Sequence, residues 1–372
     1  MRSAVCVLLW VGLLGLVARA EITVGIIVGA TGPGASIGIP SKNALSLAPK
    51  VIAGEKVRYV VLDDGTDTTN AVTNARRLVV EDHVDIIIGP SSIPTATAVS
   101  YVADETKTPQ ISLSPLATAN RWAFQIAQPM PVLLGPVVAN MKKHGARTVA
   151  FLGFSDAFGD DAYRALLAHA KRAGIQVITN ERFARTDTSV TGQVLKIVSA
   201  RPDAVLVAAA GTPAALPQIA LMEHGYKGPV YYIPTVTKDF LRVAGKRAEG
   251  AITAASPGSV PEQLPDSNAM KKVALQFNRT YEQSFGSGSW NQFAGYAYDA
   301  YLLLAHAVPI AVKQAKPGTP EFRQALRDAL ESSKNVVGTS AIFNMSHADH
   351  AGVDTRSVVL VSIQNGAFKL IQ

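Results

Sequence analysis

Short β-branched runs alternate with helical stretches, and the alternation begins twice. In the first round ITVGIIV (22–28), VRYVVLDD (57–64), VDIIIGP (84–90) and TPQISLS (108–114) read as buried strands. Between the second and third, TTNAVTNARRLVVEDH (68–83) carries apolar residues at the three- and four-residue spacing of a helix. TVAFLGF (148–154), IQVIT (175–179), DAVLVAAAG (203–211) and GPVYYIP (228–234) repeat the grammar, with FGDDAYRALLAHAKRAG (158–174) as a helix. A βαβα order implies parallel sheets covered by helices on both faces. The stretch TDTTNAVTNARRLVVEDHVDIIIG (66–89) is echoed by TDTSVTGQVLKIVSARPDAVLVA (186–208), each with a Thr-Asp-Thr turn, an amphipathic helix and an Asp-led strand. The reading is two lobes of one topology.

After GAITAASPGS the pattern becomes helical at 266–285, 290–313 and 320–333, with one late strand in TRSVVLVSI (355–363). Helices without strands must cover a sheet already made. The chain is therefore expected to return to lobe one and to cross a last time near TSAIFNMS (339–346). This divides it into lobe one, 21–127 plus 256–339, and lobe two, 128–255 plus 340–372. Three crossovers make a hinge, and the cleft it controls is the natural ligand site.

Residues 1–20, MRSAVCVLLWVGLLGLVARA, have an early Arg2, an apolar core and Ala18-Arg19-Ala20 at the end, the pattern of a cleaved secretory signal peptide. Cys6, the one cysteine, lies inside it. An exported chain of this length without disulfides points to a bacterial periplasm. The formal charge of +7 is dispersed, with no basic run longer than Lys142-Lys143 or Lys271-Lys272. A nucleic-acid reader needs a clustered basic face, so no nucleic-acid partner is expected.

GIIVGATGPGASIG (25–38) resembles a nucleotide-binding turn, and Asp63-Asp64 end the next strand where a ribose-binding acid would sit. Against that reading, Pro33 lacks an N–H, and the glycines do not follow G-x-G-x-x-G. No cofactor is expected. Nor is a catalytic set: GFSDA (153–157) lacks the second glycine of a nucleophile elbow, and His347 with His350 has zinc-like spacing only in isolation, so a polar turn accounts for it better than a metal.

What stands out is hydroxyl-rich loops at the carboxyl ends of lobe-one strands. GPSSIPTATAV (89–99) enters a helix with Pro94 in its first turn, leaving the hydroxyls of Ser91, Ser92 and Thr95 at a helix N-terminus. ISLSPLATAN (111–120) supplies a second edge. Ordinary capping accounts for each serine singly; together they could bind a carboxylate without any arginine.

The order of strand-GATGPGASIG, VLDDGTD, IIIGPSS, TPQISLSP, FSDAFGDDAYRALLAHAKRAGIQVI and TDTSV resembles the type I periplasmic solute-binding proteins of the branched-chain amino acid class. The resemblance covers essentially all of 21–372. It implies an α/β fold of two Rossmann-like lobes with parallel-type sheets joined by a three-crossover hinge, a monomer without enzymatic activity, and an inner-membrane ABC permease as transient partner. It places the ligand carboxylate at Ser92 or Thr95 and at Ser114, Leu116, Ala117 and Thr118, with Phe158 as the lobe-two aromatic. Ile37 and Thr212 stand where leucine-type receptors have tyrosines, and Thr235 where they have the acid that pairs with the ligand ammonium, unless Asp239 reaches in. Burying an ammonium without a counter-charge costs several kcal/mol. An aromatic or aliphatic carboxylate is therefore expected ahead of an amino acid. A ligand-sensing subunit of a membrane signalling receptor remains the alternative to a transport receptor.

Overall fold

The computed structural model describes residues 21–371 apart from 117, 119 and 235. The expected leader and the Ala117 and Thr235 assignments thus lie outside the described residues. The first sheet holds β1 (Ile22–Val28), β2 (Val51–Ile52), β3 (Glu55–Asp63), β4 (Ile86–Ile88), β5 (Gln110–Ser112) and β6 (Ala123–Gln125), in the order β2-β3-β1-β4-β5-β6. The second holds β7 (Thr148–Phe154), β8 (Gln176–Phe183), β9 (Ala204–Ala208), β10 (Val230–Tyr232) and β11 (Ile252–Ala255). A small ribbon, β12 (Val336–Val337) with β13 (Ile342–Phe343), precedes β14 (Val359–Gln364) and β15 (Ala367–Leu370), and the second sheet runs β15-β14-β11-β10-β9-β7-β8.

The run β8-β7-β9-β10-β11 repeats β3-β1-β4-β5-β6, all parallel within each run. This is the duplicated topology expected from the sequence echo. The Asp that leads the third strand of each lobe has a definite task. Asp85 Oδ2 accepts from Thr23 N at 2.9 Å, and Asp203 Oδ2 accepts from the Arg147 and Thr148 amides at 2.9 Å, so each carboxylate ties its own strand to the start of the neighbouring one.

Helices α1 (Ala35–Ser46), α2 (Thr68–Val80) and α3 (Ile93–Thr106) belong with the first sheet. With the second go α4 (Met130–Lys143), α5 (Ala157–Ala173), α6 (Thr191–Ala200), α7 (Ala215–Glu223) and α8 (Lys238–Ala244). The late helices α9 (Ala269–Phe285), α10 (Gln292–Ala311) and α11 (Pro320–Glu331) return to the first, α10 lying along α1, where Ser41 Oγ donates to Phe293 O at 3.2 Å. Among the described residues no helix is long and apolar enough to cross a membrane.

Two boundaries differ from the sequence expectation. Residues 256–264 still hold to the second sheet, because Gln263 pairs with β15 through Phe368 O and Leu370 N. The chain crosses to α9 only afterwards. Residues 340–351 in turn still hold to the first: Asp299 of α10 accepts from Thr339 N at 2.6 Å and Ser340 N at 2.9 Å, and His350 O accepts from Gln125 N of β6 at 3.1 Å. The last crossing therefore follows Ala351. The single late strand is in fact a hairpin, β14 with β15, antiparallel on the edge of β11.

Candidate functional site

The glycine turn after β1 is held by a carboxylate of its own chain. Asp63 Oδ1 accepts from the amides of Ala30 (2.9 Å), Thr31 (3.3 Å) and Gly65 (2.9 Å), and Thr66 Oγ1 accepts from Gly34 N (3.1 Å). Burial raises the Asp63 carboxyl, but these donors outweigh it and hold the group below its ordinary range. The N–H groups that a pyrophosphate would need are thus occupied. The glycines serve close approach: a Cβ on Gly38 would stand 2.1 Å from Gly29 O, and one on Gly32, at φ +72°, would stand 2.3 Å from Gly65 O.

Between the two sheets lies a pocket of some 520 Å³, counted out to its open mouth. Its walls are mostly apolar. Ile37, Ile93, Leu113 and Phe293 come from elements of the first sheet, and Phe158, Ala210 and Ile233 from the second. At the rim the halves meet, since an ideal Cβ on Gly211 would lie 3.0 Å from Pro33 O and 3.2 Å from Ser36 Oγ.

Ser91, Ser92 and Ser114 line this pocket, and Thr95 borders a smaller recess that continues from it. Ser92 is the N-cap of α3, yet its side chain caps no backbone N–H and instead meets Thr95 Oγ1 at 2.8 Å. The hydroxyl is thus engaged with Thr95 and not with the helix amides, and the start of α3 carries no side-chain cap that would compete with an anion. The buried Ser91 hydroxyl has no partner among the described residues.

One cation reaches the same place. Arg185, in the turn after β8, borders both the main pocket and the recess. Its Nε donates to Asp156 Oδ2 at 2.6 Å, its guanidinium carbon sits 4.3 Å from the Phe154 ring centroid and 5.7 Å from that of Phe158, and its remaining N–H groups have no partner among the described residues. Asp156 in turn caps α5, accepting from Phe158 N at 3.0 Å and Gly159 N at 3.3 Å. The fork is fixed on one edge and free on the other, the arrangement that binds a carboxylate.

Asp64 borders the recess from behind. It is 1% exposed; Oδ1 accepts from Thr66 N at 2.8 Å and Oδ2 has no partner among the described residues. Burial pushes its carboxyl up to about 6, helped by the neighbouring Asp63 charge. Below that pH the group is the neutral acid, which can donate a hydrogen bond; above it the group is an anion.

Of the residues singled out from sequence, Ile37, Ser92, Ser114 and Phe158 line the pocket and Thr95 the recess. Three do not. Leu116 is outside the lining, its amide donating to Gln125 Oε1 at 2.8 Å; Thr118 is exposed, its hydroxyl 3.4 Å from that of Tyr101; Thr212 is exposed beyond the turn at Gly211, and Ala210 lines the pocket instead. Asp239 does not reach in either: it pairs with Arg242 at 3.3 Å and borders a separate surface recess. Sequence reading missed Arg185, Asp64, Gln128 and Tyr296, the last two joined in the pocket wall by a 2.7 Å bond from Tyr296 OH to Gln128 Oε1. The expectation of an acid held without arginine did not take account of Arg185, which borders the same pocket. His347 and His350 both point at Glu331 Oε1, each at 3.1 Å.

The sequence pattern of a family described as periplasmic binding protein matches residues 21–367. An extracellular ligand-binding receptor from Rhodopseudomonas palustris HaA2 has a similar solved structure, with 44% identity, a TM-score of 0.93, and coverage of 95% of this chain and 100% of that one. The leucine-binding protein LivK of Thermotoga maritima shares the fold at 19% identity, with a TM-score of 0.82 over 94% of this chain and 98% of that one. A Leu/Ile/Val-binding protein homolog 7 from Brucella abortus is 25% identical over 230 residues, which are 56% of this chain and 57% of that relative. The chain thus spans little more than half the length of the curated relatives it matches.

Proposed function

The chain belongs to the periplasmic binding protein family, and from that premise we propose that it captures a small organic acid between its two lobes and presents it to an ABC permease of the inner membrane. The lobes are 21–127 with 265–351, and 128–264 with 352–371, and residues 1–20 are the cleaved export leader. The carboxylate is held by Arg185, Ser92, Thr95 and the N-terminus of α3, with its apolar body against Ile37, Leu113, Phe158 and Phe293. An aromatic or branched aliphatic acid suits that body; an amino acid suits it less, because among the described residues no carboxylate lines the main pocket. Hinge closure brings the lobe-two arginine onto the lobe-one hydroxyls and excludes water.

The observation that carries this reading is the free edge of the Arg185 guanidinium beside an N-cap serine that caps no backbone amide, in an apolar pocket. Titration calorimetry with benzoate and 4-methylpentanoate tests it. Saturable binding that Arg185→Gln weakens at least tenfold is expected, and binding indifferent to that change contradicts it.

A further inference from the structure

A second pocket of some 900 Å³, counted out to its mouth, lies on the hinge side and shares no lining residue with the cleft. Glu262 comes to it from the strap that follows β11 and still holds to the second sheet, whereas Asn278, Arg279 and Glu282 come from α9, and Trp290 from the turn before α10. Trp290 is 8% exposed, and its indole N–H has no partner among the described residues. Asn278 Oδ1 is likewise buried and unpaired, although the same amide donates through Nδ2 to Gly258 O at 3.3 Å. A buried donor and acceptor left open in one pocket are costly unless something meets them.

The charges around these groups are also uncommitted. No ion pair or hydrogen bond involves the side chains of Glu262, Arg279 or Glu282 among the described residues. Two carboxylates and one guanidinium border one concavity. Their complement is a small molecule with two cationic groups and one carboxylate.

We propose that this hinge pocket, bordered by Trp290, Asn278, Arg279, Glu262 and Glu282, binds a basic amino acid at a site separate from the cleft. The ligand carboxylate lies on Arg279 and the Trp290 N–H, and its two cationic groups lie on Glu262 and Glu282, with Asn278 Oδ1 accepting from one of them. Glu262 moves with the second sheet and Glu282 with the first, so a bound dication clamps the hinge. The wall between the two sites is Gln292, whose Nε2 donates to Pro234 O, a residue of the cleft lining.

L-lysine is the probe, followed by titration calorimetry and by the fluorescence of Trp290, with L-leucine as the control that lacks the second cation. Saturable L-lysine binding is expected, at least tenfold weaker in Glu282→Gln and in Trp290→Phe and for L-leucine, and unchanged within twofold in Arg185→Gln. Trp290→Phe keeps the ring volume, and a melting curve checks that each variant is folded. Absence of saturable binding, binding untouched by both pocket variants, or binding lost in Arg185→Gln overturns the assignment. The last result would place the amino acid in the cleft, whereas failure of benzoate to bind would strike the cleft reading and leave the hinge pocket standing.

Discussion

Arg185 Nε is hydrogen-bonded to Asp156 Oδ2 at 2.6 Å, and the aspartate that holds this arginine also caps the helix bearing Phe158. Arginine, aromatic ring and helix start are thereby one rigid unit of the second lobe. Arg185→Lys keeps the charge but not the fork. A tenfold or greater loss of carboxylate affinity is expected in Arg185→Lys as in Arg185→Gln, read by titration calorimetry; a lysine variant equal to the native protein would mean that charge alone suffices.

Ser92 caps nothing in its own helix, so its removal separates binding from stability. Ser92→Ala should shift unfolding by less than the ~1 kcal/mol usual for a lost cap, and the Ser92→Ala, Thr95→Ala pair should lower carboxylate affinity at least tenfold. Denaturant midpoints and calorimetry on the same preparations decide this. Unchanged affinity in the pair would place the acid head elsewhere.

Asp64 gives the site a pH dependence of definite sign. Burial first, and the Asp63 charge after it, push its carboxyl up to about 6. Below that pH the group is neutral and donates; above it the anion faces the ligand carboxylate and repels it. Affinity for 4-methylpentanoate should therefore fall as pH rises from 5.5 to 7.5, and Asp64→Asn should flatten the profile. An affinity that rises over this range would mean that a cationic group of the ligand sits on Asp64.

The same shift enters folding. A carboxyl raised in the folded state contributes stability that is fully present below its ordinary value of 3.8 and is lost as pH climbs through about 6. Asp64→Asn should be less sensitive to pH across 4 to 7 in thermal melts, while Asp299, also pushed up to about 6 by burial, keeps its share. A variant with the native slope would show that Asp64 is ionised throughout.

Gly38 fits only because it has no side chain, its Cβ position lying 2.1 Å from Gly29 O. Gly38→Ala should destabilise by about 1–3 kcal/mol, the usual range for overpacking, measured by chemical denaturation. No loss would mean that α1 slides freely on the glycine turn.

Strands, lobes and the duplicated topology were legible because each depends on local pattern: ITVGIIV is buried along its whole length, and the aspartates before IIIG and AVLVA each tie adjacent strands. Ser92 and Phe158 were legible for the same reason, as they stand at helix starts. Arg185 carried no such mark. It is an ordinary arginine in ERFARTD until Asp156, 29 residues earlier, turns it into the pocket. Thr212 and Thr118 lie outside the pocket lining because of turns: Gly211, at φ +69°, carries the chain outward after Ala210, and the Thr118 hydroxyl meets that of Tyr101. Crossings were misplaced because Gln263 and Asp299 make long-range bonds that no local pattern announces.

Leucine and 4-methylpentanoate differ by one amino group, and titrating both into the same protein isolates the cost of placing an ammonium in a pocket whose described lining has no carboxylate. The account predicts that 4-methylpentanoate binds at least tenfold more tightly, about 1.4 kcal/mol, and that Arg185→Gln weakens binding of both ligands. Tighter binding of leucine, lost in Arg185→Gln, would contradict it.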